Sequence, residues 1–119
     1  MLVELMKPDF CLDNEKGSLV QLVHDGWKQI NVIWSPKDSI RGNHYHKYNE
    51  EAFYLINGKI KLILSNNKEE EIVIFQAGDM FKIPPFVNHI FEYLEDTTLV
   101  SMYSNGVELG NNEMDIFQY

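Results

Sequence analysis

Apolar and polar residues alternate along most of this chain, and no stretch of a dozen residues carries the helical period of about 3.6. Residues 1–12 alternate weakly and stop at Lys7-Pro8, which predicts a short or edge strand. Asp13-Asn14-Glu15-Lys16-Gly17 has turn chemistry. Ser18 to His24 and Gln29 to Trp34 read as strands, the second with Ile30, Val32 and Trp34 on one face. A loop from Ser35 to Ser39 leads into a strand carrying His44 and His46. Glu51-Ala-Phe-Tyr-Leu-Ile is the next strand, and Asn57-Gly58 after it is a strong hairpin signal. Lys59 to Ser65 places Ile60, Leu62 and Leu64 on one face, and Glu70 to Phe75 follows a turn at Asn66-Asn67-Lys68. Further strands are expected at Met80–Ile83, Asn88–Leu94 and Thr97–Ser104, with Pro84-Pro85 interrupting the ladder. Residues 105–112 read as a loop, and the type of the segment from Glu113 to Tyr119 stays open. Roughly ten short strands with turn residues between them predict an all-β sandwich or barrel, its apolar parities facing inward.

With 119 residues, the chain suits one domain with one core, residues 1–119. Its aromatic content of 13% favours strands and a lined pocket. The formal charge of −8, from 18 acids against 10 bases, argues against a nucleic-acid partner bound through a broad basic face. No stretch is apolar enough for a membrane span. The N-terminus lacks signal-peptide features, and a single cysteine, Cys11, allows no internal disulfide, so the expected location is the cytoplasm.

Charge matters at one position. Arg41 is the only arginine, three residues before His44. A guanidinium can hold phosphate or carboxylate bidentately, so Arg41 is a candidate for substrate binding, with a surface salt bridge as the alternative. His44 and His46, two apart on a strand, leave the same face and can converge on one divalent ion. Glu51 shares parity with Phe53 and Leu55, and His89 with Phe91 and Tyr93, so both are expected to point inward. Burying such groups is unfavourable unless something compensates them, as a metal would. The candidate metal set is therefore His44, His46, Glu51 and His89. Three imidazoles and a carboxylate suit zinc, iron, manganese, nickel or copper, not calcium.

The run from Arg41 to Gly58, RGNHYHKYNEEAFYLING, resembles the first motif of the cupin superfamily: His-x-His, four residues, Glu, six residues, Gly. GDMFKIPPFVNHIFEY resembles the second, in which a glycine, a proline and a histidine fall at Gly78, Pro84 and His89. Phe86 stands where the family often has glycine, and Tyr93 where it often has asparagine. The resemblance implies a cupin fold, a double-stranded β-helix or jelly-roll barrel. Within the cupins, residues 14–20 and 41–47 are similar to the dTDP-4-keto-6-deoxyhexose 3,4-ketoisomerases. Those enzymes and the related 3,5-epimerases are metal-independent and use the corresponding histidines as acid/base groups. By that likeness His44 or His46 would move the proton and Arg41 would hold the nucleotide diphosphate. Glu51 departs from the ketoisomerases. The His-Tyr-His run and the glutamate are similar to the metal-binding cupin domain of capsular-polysaccharide reductases, which favours a metal.

The function expected is an isomerase or epimerase acting on a keto-sugar nucleotide in surface-polysaccharide biosynthesis. Removing a proton beside a ketone needs a base on carbon and a partner on oxygen. The base would be a tyrosine or glutamate near the site if a metal binds all three histidines, or a histidine if none is present. Tyr45, Tyr54, Tyr93 and Tyr103 are the tyrosine candidates, with Tyr103 taken as catalytic beside His44 and His46. Trp34 could stack on a base or sugar, against core or dimer packing for it and Trp27. A metal-dependent dioxygenase or other small-molecule cupin enzyme, and a non-catalytic binding cupin, are the alternatives. His24 reads as a surface residue, Glu50 as pointing outward, and Cys11 as a buried or partly buried thiol, not a nucleophile. Resemblance also implies a homodimer to which the N-terminal strand contributes.

Overall fold

The computed structural model describes residues 1–119 as thirteen strands and no helix. They are β1 (Glu4–Met6), β2 (Phe10–Asn14), β3 (Gly17–Gln21), β4 (Gln29–Ser35), β5 (Ile40–His44), β6 (Glu51–Asn57), β7 (Lys59–Ser65), β8 (Glu70–Gln76), β9 (Met80–Ile83), β10 (Asn88–Tyr93), β11 (Thr97–Tyr103), β12 (Glu108–Gly110) and β13 (Glu113–Met114). A five-stranded sheet runs β1-β9-β6-β11-β4, and a four-stranded sheet β5-β10-β7-β8, with every pairing antiparallel. The two sheets face each other over a shared core, the all-β jelly-roll arrangement of a cupin. β2-β3 and β12-β13 are separate hairpins.

Alternation explains the packing on most strands. Ile60, Leu62 and Leu64 are fully buried from β7, and Phe53 and Leu55 face them from β6. Aromatic rings join the sheets: Phe75 stacks 4.2 Å from Phe81, and Phe53 lies tilted 4.9 Å from Phe91, while Phe53 stacks 5.1 Å from Phe81 within the five-stranded sheet. These residues belong to a core cluster of 14. On the opposite face, Lys82 joins Glu50 at 2.9 Å and Glu4 at 3.3 Å, so Glu50 points away from the core as its parity predicts.

Two expectations do not hold. Asn57-Gly58 closes no hairpin, because β6 pairs with β9 and β11 while β7 pairs with β8 and β10. The pair is a corner where the chain leaves one sheet for the other. Only Gly58 takes a positive φ there (91°), whereas the favoured hairpin turn needs it at both residues. On β4 the apolar row Ile30, Val32 and Trp34 faces outward. Antiparallel register puts Ile33 opposite Leu99, and the fully buried Leu99 draws Ile33 to the inner face. Trp34 is thereby sent to the outside. The segment of open type at the C-terminus forms the short β13, preceded by β12 within the expected loop, and a bridge between Phe117 and Tyr45.

Candidate active site

His44 and His89 are directly opposite each other on β5 and β10, so they share the inner face of the four-stranded sheet. Strict alternation would send Arg41, three positions before His44, to the other face. A bulge prevents this: the register slips between His89 and Ile90, where Gly42 and Asn43 hold φ of 98° and 67°. The extra residue resets parity, and Arg41 and His44 both line the cavity. Glycine is required at 42, because a Cβ there would sit 2.6 Å from the His89 carbonyl oxygen. The motif's glycine site, occupied by Phe86, is also left-handed, at φ 69°.

From the facing sheet, Glu51 begins β6 with Tyr103 opposite it on β11. His46 lies just beyond β5 and closes the gap between the sheets. The ligand atoms of His44, His46 and His89 all fall within 4.8 Å of one another. Glu51 Oε1 is 2.9 Å from His46 Nε2 and 3.7 Å from His89 Nε2, and its Oε2 accepts a 2.6 Å hydrogen bond from the Ser101 hydroxyl. The three imidazoles thus cluster, and Glu51 meets two of them, His46 and His89. Nδ1 of His46 donates to the Asp115 carbonyl at 2.6 Å, and Nδ1 of His89 to the Val87 carbonyl at 3.1 Å. A carbonyl has no proton to give, so each ring carries a proton on Nδ1 and turns Nε2 inward, and without a metal the Nε2 of His46 carries a second proton toward Glu51. That is how protein-bound metals have their imidazoles oriented, and the donor set fits a divalent transition metal.

Above this group is a cavity of about 230 Å³ floored by Ile33, Phe53, Phe91 and Leu99. Arg41 lines it, and its Nε donates to the buried Ser35 hydroxyl at 2.8 Å, which leaves the two terminal nitrogens free for an anion. Tyr93 and Tyr103 complete the lining. Burial, reinforced by the neighbouring Glu51 carboxylate, pushes the Tyr103 hydroxyl well above its ordinary range. That favours the neutral phenol, a hydrogen-bond donor. Burial likewise raises Tyr93, against the opposing pull of Ser35 and Arg41. Trp34 takes no part in the cavity: it is 59% exposed on the outer face of β4, for the register reason above. Tyr45 turns toward Tyr119 and Phe117, and Tyr54 and Trp27 pack against Ala52, Met80 and Met102. His24 is an exposed partner of Asp9, and Cys11, expected to be buried, is instead exposed because the β2-β3 hairpin stands apart from both sheets. Sequence reading passed over Gly42, Ser101 and Asp115. Of these only Gly42 left a trace, since a glycine one residue past Arg41 on a strand is itself a bulge signal.

The histidines differ in charge preference. Burial depresses His89 to about 4, outweighing the attraction of Glu51, and the charges of His44 and His46 add to the fall. Burial and the His46 charge lower His44 as well. Burial would lower His46 too, but the Glu51 hydrogen bond and charge and the Asp115 carbonyl override it and raise the group. In metal-free protein, His44 and His89 stay neutral in the fold while the unfolded chain gains protons below about pH 6.5, so acid removes stability. For His89 alone, the fall from 6.5 to about 4 corresponds to a loss of about 3 kcal/mol. The His46 contribution runs the other way: it is present below pH 6.5 and fades as pH rises through the raised value. Urea midpoints of chelator-treated protein are expected to peak near neutrality and drop toward pH 4.5. A midpoint flat or rising over that acid range would contradict the assignment of His89 as a buried neutral imidazole.

A protein-family model described as polysaccharide biosynthesis C-terminal domain matches residues 12–116. The chain belongs to that family. No curated protein matches it by sequence. Among solved structures, this polysaccharide biosynthesis C-terminal domain is similar to QdtA, a sugar 3,4-ketoisomerase from Thermoanaerobacterium thermosaccharolyticum in complex with TDP. The TM-score is 0.81 at 22% identity, over 99% of this chain and 88% of that one. It is also similar to WlaRB, a TDP-quinovose 3,4-ketoisomerase from Campylobacter jejuni (TM-score 0.83, 16% identity, covering 98% and 92%). A 3,4-ketoisomerase from Helicobacter canadensis gives 0.83 at 17% identity, covering 100% and 92%. These are likenesses of fold.

Proposed function

We propose that this polysaccharide biosynthesis C-terminal domain is an isomerase or epimerase of keto-sugar nucleotides that works with a divalent transition metal. The observation that carries the reading is the clustering of His44, His46 and His89, with Glu51 against His46 and His89, beneath a small apolar cavity with Arg41 at its wall. The fold likeness to sugar 3,4-ketoisomerases, one of them solved with TDP-4-keto-6-deoxyglucose, supports the substrate class. His44, His46, His89 and Glu51 would hold the metal, which as a Lewis acid polarises a carbonyl oxygen. Arg41, braced through Nε by Ser35, presents its free nitrogens to a phosphate or sugar oxygen. Tyr103, held protonated, donates to the oxygen on which charge develops, and the floor of Phe53, Phe91 and Leu99 excludes water from the reacting carbons.

One observation favours a metal-independent version of the same chemistry. His46 and Glu51 satisfy each other at 2.9 Å, and no hydrogen bond engages the His44 ring, which burial keeps neutral. Such an imidazole can take a proton from the carbon beside a ketone and return it to a neighbouring one.

Untagged protein analysed for metal and incubated with TDP-4-keto-6-deoxyglucose in deuterated water tests both versions. Deuterium is expected at the carbon beside the ketone, with loss of exchange after chelation if the metal is needed and retention if it is not. Binding without exchange would point to a non-catalytic cupin, and iron-dependent oxygen uptake to a dioxygenase. Neither outcome is compatible with the isomerase reading.

We also propose a homodimer. Ile30, Val32 and Trp34 expose an apolar row on the edge strand β4, 71% exposed at Val32, a surface that a second copy would cover. The exposed hairpin β2-β3 adds Phe10, Leu12, Leu19 and Val20. Sedimentation equilibrium is expected to show a dimer that Val32→Asp converts to monomer. A wild-type monomer at micromolar concentration would refute it.

A further inference from the structure

Asp115 lies outside both sheets of the barrel, four residues from the end of the tail after β13, yet it is completely buried. A carboxylate loses its hydration there and needs donors in return. It has three: the backbone N–H of Lys47 at 2.8 Å, that of Tyr48 at 3.0 Å, and the Asn49 side-chain amide at 2.8 Å. All three belong to the loop that follows His46. Asn49, buried as well, accepts from the backbone N–H of Asn105 and of Gly106, so the loop is also tied to the segment that follows β11. Further along, Tyr45 and Phe117 exchange a pair of main-chain hydrogen bonds at 2.9 and 3.0 Å, and Tyr119 stacks on Tyr45 at 4.5 Å. The tail is thus laced along residues 45–49, and the Asp115 carbonyl comes to rest on His46 Nδ1 at 2.6 Å.

The two inward-facing imidazoles are therefore oriented by different means. His89 is fixed by the Val87 carbonyl, two residues away on its own segment, and needs nothing else. His46 Nε2 meets Glu51 five residues on, but its Nδ1 has no local partner and is fixed from 69 residues away. We propose that Asp115 is a positioning residue for His46: its carboxylate seats the tail on residues 47–49, and its carbonyl then fixes the ring with Nε2 toward Glu51 and the cavity. This rests on the reading that His46 works in that cavity.

Nitrogen-15 NMR of the histidine rings in metal-free protein tests it directly. In the wild type His46 is expected to carry a proton on Nδ1, and an unprotonated Nδ1 would overturn the proposal without any variant. In Asp115→Ala and Asp115→Asn, His46 is expected to sample both tautomers while His89 keeps its own, a selective change that general loosening would not produce. Zinc affinity, measured by competition with a chromogenic chelator, is expected to fall about 10- to 100-fold, as for loss of an outer-shell partner. A folded variant in which His46 keeps a single Nδ1–H tautomer and zinc affinity stays within about twofold of wild type would overturn it. Wild-type protein that shows the Nδ1 proton but binds no zinc would sink the metal reading and leave the positioning role standing. Zinc binding with a bare Nδ1 would do the reverse.

Discussion

Replacing Glu51 by alanine is expected to lower zinc affinity more than about 100-fold, since even an outer-shell partner is worth about 10- to 100-fold. It also strips two buried donors of their acceptor. His46 Nε2, 2.9 Å from the carboxylate, and the Ser101 hydroxyl, 2.6 Å from it, would face apolar space. Breaking a buried ion pair from one side typically costs about 3–5 kcal/mol. For a domain whose whole stability is about 5–15 kcal/mol, that is a loss visible as a large drop in melting temperature. Glu51→Gln separates the two effects. Its amide oxygen can still accept from Ser101 or His46, so the stability loss should shrink to about 1–2 kcal/mol. Metal binding should nonetheless fail, because the charge is gone. Titration of both variants with zinc, alongside thermal melts, checks this. If Glu51→Ala binds zinc as tightly as the wild type, the carboxylate is no ligand, and the acid/base version of the site gains the ground.

Gly58→Ala should destabilise the chain about as strongly as Glu51→Ala, without touching the cavity. A Cβ at residue 58 would lie 2.1 Å from the Thr97 hydroxyl, 2.5 Å from the Asp96 carbonyl oxygen and 2.7 Å from the Thr97 Cα. Two of these three are backbone atoms and cannot swing aside. A φ of 91° adds strain for any side chain. Around this corner Thr97 Oγ1 accepts from the Lys59 N–H, and Asn57 Oδ1 accepts from the Thr98 N–H. Overpacking alone costs about 1–3 kcal/mol, and with the strained φ and displaced hydrogen bonds the expected loss exceeds about 3 kcal/mol. Gly17→Ala is the control, because a Cβ there meets nothing within 4 Å although φ is also positive, at 118°. Circular dichroism melts should find the second variant only mildly weakened. Equal effects would mean that strain, not crowding, governs the corner.

These contrasts show where sequence is eloquent and where it falls silent. Period-two alternation placed Glu51, His89 and the row Ile60, Leu62 and Leu64 on the correct faces, because a strand buried on one side leaves register no freedom. The same rule failed on β4. There an edge strand exposes its apolar residues, and the inner row of Gln29, Asn31, Ile33 and Ser35 looks like the outer one of an ordinary sheet. It would also have failed at Arg41, where only a bulge lets residues three apart share a face, and the backbone of Gly42 and Asn43 carries that information. Asn57-Gly58 misled for a similar reason: a dipeptide reports the local turn but not which strands its neighbours choose. Asp115 was out of reach altogether. Nothing in a solvent-friendly tail of mixed composition announces that one carboxylate will be buried under a loop nearly seventy positions upstream, since the contact exists only after both sheets have closed.

His44 and His89 hang from one sheet, Glu51 from the other. Whatever bridges them acts as a rivet across the seam of the sandwich, so occupancy and mechanical closure become one equilibrium. A ligand present at a hundred times its dissociation constant adds about 2.7 kcal/mol to the closed form. Conversely, any motion that parts the two layers at this end would release such a ligand, which makes the cavity end of the molecule its own latch.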